Sequence, residues 1–183
     1  MEQQLLQEQK KPNALAFKVA ILYAIYFLAY TVVLRILKVD PQAKDASMVL
    51  VIGTSVLAWG VFIIAIVYAQ ITHKKELGGF MTFGRAFSTG FKVAAYSGLF
   101  MALLLVLYYE VIDPAAVTQM IETATANAKT EQQAQGIEMM GKYMGLFGAF
   151  GAGVTFSIAG LIVSLISGAV IKNDRPLHFE EAE

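Results

Sequence analysis

Residues 143–171 read YMGLFGAFGAGVTFSIAGLIVSLISGAVI, 29 residues without a single Asp, Glu, Lys, Arg or His. An α-helix rises about 1.5 Å per residue, so roughly 20 apolar residues cross a hydrocarbon core of about 30 Å. Working outward from this stretch, three more runs lack Asp, Glu, Lys and Arg: Val93–Tyr109 (17 residues), Ala46–His73 (28) and Val19–Leu34 (16). Of the 183 residues, 57% are hydrophobic and 15% charged, against about 45–50% and 25% in an ordinary soluble domain. The pattern predicts an all-α integral membrane four-helix bundle with spans at about 15–37, 48–71, 91–112 and 143–171. The membrane domain then occupies 14–172, between polar tails at 1–13 and 173–183. A soluble enzyme, a secreted disulfide scaffold and a disordered chain are all excluded.

Fourteen Lys and Arg balance fourteen Asp and Glu, so no basic face exists to track a phosphate backbone and nucleic acid is not an expected partner. Cysteine is absent, which removes Cys-based metal sites and cysteine nucleophiles. His73 and His178 stand far apart in sequence, and no His-Glu-x-x-His spacing occurs. No Asp, Glu, His, Lys or Arg falls near the middle of a span, where proton-coupled transporters hold their proton carrier. The expectation is therefore no enzyme activity, no metal and no cofactor. Lys10, Lys11 and the apolar run after them imitate a secretory signal, but Arg35 follows directly without a small-x-small cleavage site. That run reads as a retained span.

The connections carry their own signals. Lys18 and Arg35 can reach the two interfaces on apolar stems. Asp40-Pro41 and Asp113-Pro114 each pair a capping residue with a proline suited to a first helical turn. Gly78-Gly79 breaks the chain after His73-Lys74-Lys75. Between Pro114 and Lys142, apolar residues recur at Val117, Met120, Ile121, Ala124 and Ala128, which predicts a polar extracytoplasmic helix between spans 3 and 4. Phe17-Lys18-Val19-Ala20 and Phe91-Lys92-Val93-Ala94 open spans 1 and 3, with Asp-Pro 22 and 21 residues after each lysine. Two duplicated hairpins, or two independent uses of a common anchor and turn, both produce this pattern.

Three side-chain stripes stand out. Phe80, Phe83, Phe87 and Phe91 lie at i, i+3, i+7 and i+11, with Thr82, Arg85, Thr89 and Lys92 opposite. This face predicts a short interfacial helix before span 3, the alternative being a third span that begins early. Gly79, Gly84 and Arg85 lack the Lys-Ser/Thr pair of a phosphate-binding loop. Tyr23, Tyr26 and Tyr30 form a stripe in span 1 that either lines a polar cavity or packs with each hydroxyl on a carbonyl. Trp59, near the centre of the second run, reads as packing. Ala149, Gly153, Ser157, Gly160, Ser164 and Ser167 follow at spacings of four, four, three, four and three. Small side chains let helix backbones approach closely, so this stripe predicts a packing seam, against a serine-lined pore.

From Leu77 the chain reads Leu-Gly-Gly-Phe-Met-Thr-Phe-Gly-Arg-Ala-Phe-Ser-Thr-Gly-Phe-Lys, then an apolar span, then Ile-Asp-Pro-Ala-Ala-Val, and the last span ends in Lys-Asn-Asp-Arg-Pro. This order resembles an uncharacterised family of small four-span membrane proteins found mainly in Bacteroidota, the domain of unknown function DUF4199. Gly78-Gly79-Phe80 through Phe87 and Asp113-Pro114 are its most specific part. The resemblance implies a cytoplasmic-membrane location and a four-helix fold, and brings no ligand or catalytic residue with it.

The expected function is a non-enzymatic interaction or membrane-organising role in the bilayer, with a membrane-protein partner or a homodimer; the alternative is a small-solute transporter or channel component. A transporter needs a wet cavity near the midplane, and a scaffold is packed solid there. Nine basic residues (Lys10, Lys11, Lys18, Lys74, Lys75, Arg85, Lys92, Lys172, Arg175) flank the spans on one side and five (Arg35, Lys38, Lys44, Lys129, Lys142) on the other. Basic flanks stay in the cytoplasm, so both termini are predicted inside and Asp113–Lys142 outside, as a lid open to a partner.

Overall fold

The computed structural model describes residues 11–43 and 45–174; the remainder of the polar tails lies outside the described residues. Helix α1 (Asn13–Ile36) starts behind Pro12, whose carbonyl accepts the amide of Ala16. It ends at Lys38, a non-glycine residue at φ 54° whose amide returns to the Arg35 carbonyl. Helix α2 (Met48–Glu76) is capped by the Ser47 hydroxyl on the Leu50 amide, and it widens into a π-turn at Val56–Gly60. Gly78 and Gly79, at φ 76° and 88°, reverse the chain through a conformation that side chains with a Cβ resist. Helix α3 (Phe83–Ile112) follows, its last turn again π-type from Tyr108 to Ile112.

The structure corrects two expectations here. No separate interfacial helix precedes span 3: α3 runs unbroken from Phe83, and Phe80 lies in the turn before it. The chain enters α3 early because the face opposite the phenylalanines is not wholly solvated: Thr89 is fully buried, its hydroxyl on the Arg85 carbonyl. The polar connection is also two helices, α4 (Ala115–Ala126) and α5 (Glu131–Met139), where one was expected. The break comes from Thr130, which leaves helical geometry and caps α5 through the Gln133 amide, while the Gln133 side chain accepts from the Lys129 amide. A 3₁₀ turn (Gly141–Tyr143) leads into α6 (Met144–Ile171).

Four helices are long and apolar enough to cross a membrane: α1, α2, α3, and Gly141–Ile171, which includes α6. In the most apolar window of α3, 44% of residues are buried, against 22% in each of the other three. Helix α3 is therefore the central element, touching α1, α2 and α6. The distribution of side chains suits lipid as the solvent. Ile36, Ile64, Ile166 and Val170 point outward, while Ala16, Ala20, Thr89, Ala94, Ser97 and Ser164 fill the interior. Lipid tails give bulky apolar residues no reason to turn inward, so small ones take the places where backbones meet. The chain is a multi-pass membrane protein.

Candidate functional site

The α3–α6 contact is built from two matching ladders. On α6, Ala149, Gly153, Gly160 and Ser164 are buried, and Ser157 and Ser167 half-buried. On α3, Ala86, Gly90, Ala94, Gly98 and Ala102 face them, all buried. A Cβ built on Gly98 falls within 3.0 Å of Ser157 Oγ and the Gly153 carbonyl oxygen; one on Gly153 falls 2.5 Å from the Gly98 oxygen. A Cβ on Gly160 meets Ala94 and Phe62 within 3.0 Å. Here backbone rests on backbone. The serines of the stripe are turned back on their own helix: Ser157, Ser164 and Ser167 donate to the carbonyls of Gly153, Gly160 and Val163 at 2.8, 2.6 and 2.7 Å. The α3 ladder is not among the stripes singled out from the sequence, although its strict four-residue spacing is a local signal.

The α1–α2 contact is made differently. Tyr23, Tyr26 and Tyr30 donate to the carbonyls of Ala58, Leu57 and Thr54 at 3.1, 3.0 and 2.9 Å. Two of the three acceptors lie in the π-turn, where the wider winding disturbs the i→i−4 ladder and turns carbonyls outward. Beside this ladder, Trp59 stacks on Phe156 at 4.2 Å between ring centroids. Phe62 and Phe27 lie 5.0 and 5.3 Å from the same ring, and Tyr23 6.0 Å. These five rings occupy the middle of the bundle. Phe83, Phe87 and Phe91 stack successively along α3 at 6.3 and 5.8 Å.

Polar clasps close both ends. At one end Arg35 Nε donates to Asp113 Oδ2 at 2.8 Å and Arg35 Nη1 donates to Gln119 Oε1. Tyr108 also donates to Asp113, whose other oxygen accepts the Ala116 amide and caps α4. The Arg35 guanidinium holds the Asp113 carboxyl below the usual carboxylate range. Thr123 donates to Asp40 at 3.0 Å and Asn127 to the Gln42 carbonyl at 3.0 Å, so α4 is tied across the α1–α2 connection. Met120 and Val117 rest against Gly148 and Gly145 at the start of α6.

At the other end Met81 and Asn173 exchange backbone hydrogen bonds of 2.9 and 2.8 Å. Asn173 Nδ2 reaches the Gly79 carbonyl, and Lys74 Nζ the Ile171 carbonyl at 2.7 Å. Under this clasp lie side chains the sequence reading did not single out as a group: Gln70 and His73, one turn apart on α2, are fully buried with Thr89 and Ser164. Gln70 Nε2 donates to the Ala86 carbonyl at 3.0 Å, and His73 Nδ1 lies 3.5 Å from Glu76. Both residues sit at the end of a span, where hydropathy alone gives no hint of burial. No three His, Asp or Glu side chains among the described residues converge on one point.

The segments that give the chain its family resemblance thus come together as the two clasps: Gly79–Met81 with Asn173, and Asp113-Pro114 with Arg35. Residues 18–173 match the family described as "Protein of unknown function (DUF4199)". The chain belongs to the DUF4199 family. No curated protein and no solved structure matches it. Within this DUF4199 chain the match ends at Asn173, the residue that closes the second clasp.

Proposed function

We propose that this DUF4199 protein is a non-enzymatic membrane component that acts through contacts in and beside the bilayer. One observation carries the reading. Where a transporter needs a wet cavity, the centre of this bundle holds the rings of Tyr23, Phe27, Trp59, Phe62 and Phe156, and the nearby tyrosine hydroxyls are spent on backbone carbonyls. The surface offered to a partner is the α4–α5 lid, where α5 has no buried residue and Met139 is 84% exposed. The excess of basic residues beside the start of α1 and the end of α6 supports a cytoplasmic position for that end of the bundle. The family resemblance supports the cytoplasmic (inner) membrane as the location.

Two experiments test this. Vesicles carrying the full chain are expected to stay as tight to small polar solutes as empty vesicles, and saturable flux overturns the proposal. A photo-crosslinker at Met139 is expected to capture one membrane or extracytoplasmic protein in stoichiometric yield from intact cells. A reporter fused after Glu183 that works only outside the cytoplasm overturns the orientation.

A further inference from the structure

The α1–α2 hairpin leaves a lipid-facing groove of about 310 Å³ beside the tyrosine ladder, walled by Val19, Leu22 and Tyr26 on α1 and by Ile64, Ala65 and Tyr68 on α2. Its lining is almost wholly apolar, and the Tyr26 hydroxyl is engaged with the Leu57 carbonyl. The two helices run antiparallel, since Tyr23 meets Ala58 while Tyr30 meets Thr54. The groove therefore lies toward the N-terminal end of α1 and the C-terminal end of α2, the end that carries the basic excess.

The residues that continue the two walls beyond the groove specify its occupant. Lys18 is four residues before Leu22, so its stem follows the same wall; it is exposed, with no ion-pair partner among the described residues. Lys75 lies seven residues past Tyr68 on the other wall, and is likewise exposed and unpaired among them. Tyr68 itself is 57% exposed. An apolar trough walled in part by Tyr68, with an exposed lysine beyond it on each helix, combines the two features an anionic phospholipid needs. We propose that this groove is a binding site for one acyl chain of an anionic phospholipid, with the phosphate held near Lys18 and the Tyr68 hydroxyl. A neutral lipid fits the trough equally well and loses only the charge at its mouth; a second copy of the chain has no use for the lysines. The occupant is therefore a lipid, and an anionic one.

Native mass spectrometry of the full chain in micelles, titrated separately with phosphatidylglycerol and phosphatidylcholine, tests this. The unsubstituted protein is expected to retain a single phosphatidylglycerol at several-fold lower lipid concentration than phosphatidylcholine. Lys18→Gln changes an exposed side chain that holds nothing in the fold, and it is expected to bring phosphatidylglycerol down to the phosphatidylcholine level. Ala65→Phe fills the trough and is expected to abolish both adducts, with its melting temperature measured alongside. Lys38→Gln, at the other end of α1, is expected to leave both unchanged. Equal retention of the two lipids by the unsubstituted protein overturns the proposal, as does full phosphatidylglycerol selectivity in Lys18→Gln. A protein dimer appearing in place of the lipid adduct also overturns it.

Discussion

The α3–α6 and α1–α2 contacts hold pairs of antiparallel helices together in the same bilayer by different means. Helices α3 and α6 meet through Gly90, Ala94, Gly98, Gly153 and Gly160, with backbone against backbone. Helices α1 and α2 stand further apart, and tyrosine side chains span the gap to carbonyls of a π-turn. In water both contacts would gain from burying apolar surface. In lipid that gain vanishes, and what remains is dispersion at close approach in one case and directed hydrogen bonds in the other. The first tolerates no added volume; the second tolerates volume and loses strength hydroxyl by hydroxyl.

The largest expected effect breaks the first contact. Gly160→Leu drives a side chain into Ala94 and Phe62, and overpacking of this kind costs about 3 kcal/mol or more. The folded protein is expected to be lost, or to melt far earlier in detergent. Gly151→Leu lies on the same helix with open space around it and is expected to melt like the unsubstituted protein. Equal effects at the two positions would show that the seam is not closely packed.

The second contact is expected to weaken in smaller steps. Interhelical hydrogen bonds in membranes average about 0.6 kcal/mol, so replacing Tyr23, Tyr26 and Tyr30 together by Phe is expected to cost about 2 kcal/mol, shared among the three. A solute leak in the triple variant, read as vesicle flux, would show that the hydroxyls guard a path and do more than bind helices.

The clasps sharpen the comparison from outside the bilayer. Arg35→Ala removes a partly exposed ion pair and is expected to cost about 1 kcal/mol, read as a lower melting temperature in detergent. Its pH dependence follows from Asp113, whose carboxyl is held low by the Arg35 guanidinium. A carboxyl with a depressed folded-state value adds stability that is fully present above its ordinary value and is lost as pH falls through the depressed one. The unsubstituted protein is expected to lose melting temperature across that acidic window, and Asp113→Asn to lose less.

The smallest effect is a gain. Lys38 holds φ 54° at the end of α1, where glycine fits without a Cβ penalty. Lys38→Gly is expected to raise stability by about 0.5–1 kcal/mol without touching either helix contact, which thermal unfolding can check.

Much of this was legible beforehand, for reasons that are local. The α6 stripe from Ala149 to Ser167 is visible because helical period and residue size are both properties of neighbouring positions. The polar cap of α5 at Thr130-Glu131-Gln132-Gln133 is as local a signal, and it divides the lid into two helices where the apolar spacing alone predicts one. The early start of α3 is not decided locally, because the burial of Thr89 comes from packing between helices and no residue near it in sequence reports that.

By itself, the sequence determined that four helices enter a membrane, where they are narrow enough to touch, and which turns join them. Hydropathy, side-chain size and proline or glycine act within a few residues, and a linear reading captures them. Only the tertiary structure decided that α3 takes the central place and that two of the three tyrosines answer carbonyls of the π-turn. It also decided that Arg35 reaches Asp113, 78 positions away, and that Gln70 and His73 are buried. Those outcomes rest on which distant groups share a few ångströms, and a polar side chain at the end of a span looks the same in sequence whether it meets water or its own fold.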